Sequence, residues 1–177
     1  MMWTEKGFTL IELIVVVWIV GLTFFLALPA FQGWLSGDGI RETRRHMAGL
    51  SRELRYQAVR EYADYVLSVD LTERKISSFR KDDSPEARER ARNKAWSLPG
   101  GVTIRDLEFR DGGRIVEGEA LILFFKNGMV DPSVFHFREK ERELSLLLEP
   151  FLGELRVFDR YVSYGESGIE TGTENFS

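Results

Sequence analysis

Three hydropathy regimes succeed one another along this chain. After a short polar start, the residues from Phe8 onward are apolar, and between Leu13 and Gly37 no charged side chain occurs. That stretch is long enough to cross a bilayer as a helix, which takes about 20 apolar residues. A helix that is apolar on every side belongs in lipid or in the centre of a bundle. The second regime begins near Ile40, where Ile40, Met47, Leu50, Leu54 and Ala58 recur at steps of three, four or seven and form one stripe. Arg41, Arg44, Arg45, Arg52, Arg55 and Arg60 mostly lie off that stripe, with Glu42, Glu53 and Glu61 among them. Most such charge runs are solvated faces with local ion pairs; contact with anionic headgroups or DNA is the functional alternative.

From residue 63 the period shifts to two. Tyr65–Asp70 and Lys75–Phe79 read as two strands joined by a tight turn near Leu71–Arg74. Residues 80–95 are highly charged: either a solvent-exposed excursion or a short polar helix capped by Ser84 or Asp83, with Pro85 in its first turn. Turns at Pro99-Gly100-Gly101 and Asp111-Gly112-Gly113 bracket a strand over Val102–Phe109 that alternates at first. Ala120–Phe125 is a continuous apolar run, which predicts a central strand covered on both faces, and Asn127-Gly128 is a turn signal. Val134–Arg138, Leu144–Leu148 and Leu155–Phe158 complete the strands, and a polar, acidic, Gly-rich tail follows, its last ten or so residues expected to be loose.

The pattern predicts an α+β fold: a long N-terminal transmembrane helix packed on a C-terminal antiparallel β-sheet domain. Its expected parts are a short polar start (1–7), which the resemblance described below makes a leader, the transmembrane half of the helix (8–37), its amphipathic half (38–62), a β-rich domain (63–160) and a polar tail (161–177). Residues 8 to about 60 read as one helix. Pro29 lacks an amide hydrogen and should kink it. Gly33, Gly37 and Gly39 make a weak zone, where a true helix end with Asp38 as a new cap is equally open.

Composition narrows the function. Of 177 residues, about 120–140 remain beyond the apolar segment, enough for one small domain with its own core. A formal net charge of −4 argues against a general nucleic-acid binder. There is no Cys, so disulfides and thiolate metal sites are excluded, and the two His residues, His46 and His136, lie far apart in sequence. No cofactor motif, catalytic set or phosphate loop is visible, which leaves a membrane-anchored enzyme with little support.

Glu12 demands explanation, because an ionisable group inside an apolar segment costs roughly 2.5–3.5 kcal/mol at a helix centre and less near an end. The string Gly7-Phe8-Thr9-Leu10-Ile11-Glu12-Leu13 closely resembles the processing site of type IV pilins and of the pseudopilins of type II secretion. The resemblance implies cleavage by prepilin peptidase between Gly7 and Phe8, N-methylation of Phe8, and a special carboxylate at Glu12. Pro29 fits the place where that family often carries a proline. The new amine, with an ordinary pKa near 7.7–8.0, would pair with Glu12 within one chain or between neighbours, each offsetting the other's desolvation. An ordinary signal peptide fits poorly: the segment is too long, contains Glu12, and Leu28-Pro29-Ala30 puts a bulky residue where a small one is wanted. A plain single-pass anchor would leave Gly7 and Glu12 unexplained.

The order of helix, hairpin, charged excursion and strands is similar to the minor pseudopilins of the GspH/FimT group. Leu123-Phe124-Phe125-Lys126-Asn127-Gly128 matches their Phe-x-x-x-Gly turn, and Leu146–Val157 their ending. That likeness implies a non-enzymatic subunit of the bacterial cell inner membrane, single-pass with its C-terminal domain periplasmic, which then enters a pseudopilus. Its implied partners are prepilin peptidase, other major and minor pseudopilins, the inner membrane and, among candidates for contact, exported proteins. Counting Arg41, Arg44 and Arg45 against Lys6 alone would place the domain in the cytoplasm; the resemblance places it outside. The alternative is a minor pilin of a type IV pilus, serving adhesion, motility or DNA uptake. The tail carries Asp159, Glu166, Glu170 and Glu174 against Arg160, which disfavours nucleic acid.

Overall fold

The computed structural model describes residues 10–35, 38–151 and 155–168. The chain divides into two compact units, Met1–Gly37 and Asp38–Ser177. In the first, α1 runs from Leu10 to Leu35, 26 residues with Pro29 inside the span. Its side chains are described from Leu10 to Thr23, and among the described residues no helix is long and apolar enough to cross a membrane.

The second unit opens with its own helix, α2, over Gly39–Glu61. Of the two readings open for the Gly-rich zone, this is the helix end: Asp38 is the N-cap, its Oδ1 accepting from Arg41 N at 3.2 Å. The helix stops at Tyr62, which takes the left-handed conformation (φ 50°) and returns its N–H to the last turn. The helix that packs on the sheets is α2.

The strands are β1 (Tyr65–Asp70), β2 (Lys75–Arg80), β3 (Trp96–Ser97), β4 (Val102–Phe109), β5 (Arg114–Ile115), β6 (Glu119–Phe124), β7 (Ser133–Glu139), β8 (Arg142–Leu148) and β9 (Leu155–Phe158). They form two antiparallel sheets, ordered β3-β2-β1-β6 and β5-β4-β7-β8-β9. Between β2 and β3 lies α3 (Pro85–Asn93), so the charged excursion is a helix, capped by Ser84 with Pro85 in its first turn. The tight turn before β2 and that after β7 each carry one non-glycine residue at positive φ, Arg74 and Lys140.

One core joins α2 to both sheets. Ile40, Met47, Leu54 and Ala58 are buried along α2, with Leu50 half-buried beside them. They meet Leu67, Val69 and Ile122 of the first sheet and Phe135, Phe137 and Leu146 of the second. Each fully buried Leu, Ile, Phe or Met contributes about 1.5–3 kcal/mol. The helix start approaches β4 and β7 so closely that a Cβ on Gly39 would stand 2.8 Å from both Val102 Cγ2 and Glu139 Oε1. Only glycine fits there without displacement.

The continuous apolar run at 120–125 is not a central strand. β6 is the edge of its sheet, and its burial alternates: Ala120, Ile122 and Phe124 face the core while Leu121 is 46% exposed. Its outer side chains are apolar because they line a surface groove, not because a second layer covers them. The strands buried on both faces are β7 and β8, where Ser133–Phe137 and Leu144–Leu148 are all buried. Their outer face lies beneath the first residues of the expected polar tail: Val162, Tyr164 and Ser167 are buried there.

Candidate functional site

The residues expected to carry processing fall at or before the start of α1. Gly7 and Phe8 lie outside the described residues. Glu12 sits in the first turn of α1, where a carboxylate favours the positive end of the helix dipole. Leu10, Ile11 and every large side chain from Leu13 to Val20 are exposed, on all sides of the helix. Such a surface marks a protein or membrane contact. Thr23 keeps its hydroxyl within the helix by donating to the Ile19 carbonyl at 2.7 Å. Pro29 lies within the helical span, and its kink is an expectation the described geometry leaves as it was.

At the other unit's start, Asp38 does more than cap. Its two carboxylate oxygens accept from Arg142 Nη1 at 2.8 Å and Nη2 at 3.3 Å, tying the first turn of α2 to the first residue of β8. The Arg142 hydrogen bonds hold the Asp38 carboxyl below its ordinary range. At the far end of α2, Tyr65 donates to Glu61 at 2.6 Å. Burial, then this bond, pushes the Tyr65 phenol up to about 12, and the same bond lowers Glu61.

The two histidines are not brought together. His46 on α2 stacks on Trp96 of β3, ring centroids 3.9 Å apart, and burial lowers its pKa against the opposing pull of Glu42. His136 on β7 belongs to a polar network that the sequence reading did not foresee. A bulge between Ile104 and Asp106 breaks the alternation of β4 and places Asp106 opposite His136. Asp106 Oδ1 lies 2.7 Å from His136 Nδ1, and both residues are almost wholly buried. His136 Nε2 lies 3.0 Å from the Val162 carbonyl, which can only accept, so that nitrogen carries a hydrogen. Tyr161 stacks on the imidazole at 4.0 Å, and the Arg105 guanidinium stands over the Tyr161 ring.

Ser145 completes what resembles a hydrolytic set, since it pairs with His136 across β7 and β8. Its hydrogen bonds are otherwise engaged. Ser145 Oγ accepts from Val162 N at 3.0 Å and donates to the Arg160 carbonyl at 2.7 Å. Ser145 and His136 thus grip the N–H and C=O of one residue. The group is a clasp that fixes residues 160–162 on the outer face of the second sheet. The only signal for it in sequence is the broken alternation at Arg105-Asp106-Leu107.

With the fold in view, the class is an α+β domain, a helix laid on two antiparallel sheets. No family model matches the chain, and no curated protein sequence does. The likeness is to solved structures. The minor pseudopilin EpsH from the type 2 secretion system of Vibrio cholerae aligns with a TM-score of 0.52 at 14% identity, covering 71% of this chain and 99% of that one. A second crystal structure of EpsH gives 0.51 at 13%, covering 68% and 96%. The likeness is one of fold.

Proposed function

We propose that this chain is a minor pseudopilin, a structural subunit of the pseudopilus of a type II secretion system. The observation that carries it is a conjunction. The described domain has the fold of EpsH, and in sequence it follows an apolar helix entered through Gly7-Phe8-Thr9-Leu10-Ile11-Glu12-Leu13. Prepilin peptidase removes residues 1–7, and Phe8 is N-methylated. Residues 8–37 span the inner membrane, an apolar length sufficient for about one crossing. The domain stands in the periplasm and contacts other pseudopilins.

In this reading Glu12 serves assembly and not catalysis. In hydrocarbon, a carboxylate and the Phe8 amine offset each other's desolvation when they pair, and pairing between neighbours sets the axial offset of one subunit on the next. The test is Glu12→Ala in cells that make the whole system. The variant should be cleaved after Gly7 as before yet be absent from cross-linked or sheared pseudopili. Normal incorporation of the variant would defeat the proposal.

A further inference from the structure

The outer face of the first sheet holds a groove of about 530 Å³ that the assembly reading does not use. Its floor is Val66, Phe79, Leu121 and Leu123, and its wall is α3, which presents Arg88 and Arg92. Apolar area of this kind on an otherwise charged surface is a docking feature. Beside it runs the edge of β6. Leu123 N donates to Asp131 Oδ2 at 3.1 Å and Leu123 O accepts from Asp131 N at 2.9 Å, so the backbone groups of Leu123 point away from β1. Alternation by two points those of Leu121 and Glu119 the same way, and beyond β1 the strand makes only an isolated bridge at its end, Phe124 to Val130. Among the described residues nothing bonds the outward N–H and C=O of Leu121. The edge carries neither proline nor bulge to blunt it.

The charges on the wall are unequal. Arg92 is matched by Glu119, its Nη2 donating to Oε1 at 2.7 Å and to Oε2 at 2.9 Å. Arg88 donates from Nη2 to the Lys81 carbonyl and stands over the Phe79 ring, and its Nε is buried without a partner. Asp82 acts on it only at longer range, and among the described residues no carboxylate lies within ion-pair distance of it. We propose that the β6 edge is a strand-addition site for an extended segment of a partner protein. That segment bonds Leu121 through its backbone, lays apolar side chains on the groove floor and sets a carboxylate against Arg88. A second copy of this chain is the poorer occupant. Antiparallel pairing of two β6 edges would bring two α3 helices to one face and set Arg88 and Arg92 of each copy against like charge. The inference stands apart from the cleavage and assembly reading, and either can fail alone.

The experiment is selection of random short peptides displayed on phage against the full chain in detergent. The expected winners alternate apolar residues and include an acid, and their binding slows exchange of the Leu121 amide. Leu121→Pro removes an outward N–H while leaving the β1–β6 hydrogen bonds in place, and should abolish that binding. Arg88→Glu should weaken it roughly ten- to hundredfold, the worth of a charge-assisted hydrogen bond. If the proline variant fails to fold, the Arg88 variant decides. The proposal is overturned if no peptide is enriched, if the winners carry no acid, or if their binding survives Arg88→Glu. It is overturned equally if the wild-type chain dimerises in a Leu121-dependent way.

Discussion

α1 and the sheet domain solve opposite problems. The domain closes on itself: α2 and two sheets bury one core, and the deep polar side chains Asp106, His136 and Ser145 bond one another or backbone. In the first helix every described side chain, from Leu10 to Thr23, is exposed. Leu10 is 77% and Trp18 74% exposed, with no polar face to turn to water. Apolar area of that extent is stable only against lipid or other chains.

Three substitutions would break or sharpen that contrast. The largest effect on the domain is expected from within it. Asp106→Ala removes the side chain bonded to His136 Nδ1 and loosens the clasp on Val162, and should cost about 1–3 kcal/mol of domain stability in a chemical denaturation series. Processing of the leader should be untouched; a domain as stable as wild type would show that the network is ornamental. Next, Trp18→Asp places a charge within the apolar helix at a cost of about 2.5–3.5 kcal/mol to insertion. The variant should shift to the alkali-extractable fraction, while thermal unfolding of the domain stays within error of wild type. A fall in domain stability would mean that the two regions are coupled after all.

The smallest effect is a pH dependence. Burial lowers the pKa of His46, so the folded state holds its proton less well than the unfolded chain, whose value is near 6.5. The unfolded state binds more protons as pH falls through 6.5 toward the folded value, so stability declines over that window and is regained as pH rises. His46→Phe keeps the stacking on Trp96 and should flatten the slope between pH 5 and 7. An unchanged slope would assign the dependence to other groups.

Much of the domain was legible in sequence because its signals are local. The stripe Ile40, Met47, Leu54, Ala58 is buried as its spacing requires, and the strands after residue 63 fall where alternation and Gly turns put them. β6 misled because an apolar run reads alike whether its outer face meets a second layer or a groove. β3 and β5 are too short to leave a period, two residues each. The clasp was invisible because its members lie 30 and 26 residues apart and only a bulge brings Asp106 round to His136. The functional reading runs the other way: its motif at Gly7–Leu13 is read from the sequence, and the likeness to EpsH is one of fold.

The central claim is that the mature chain begins at Phe8, so that its amine can meet Glu12. Intact-mass and N-terminal analysis of membrane-purified protein, with the peptidase present and absent, tests it directly. With the peptidase, the chain should lose residues 1–7 and gain one methyl group on Phe8; without it, the leader should remain. A mature chain that begins at Met1, or anywhere other than Phe8, would contradict the account.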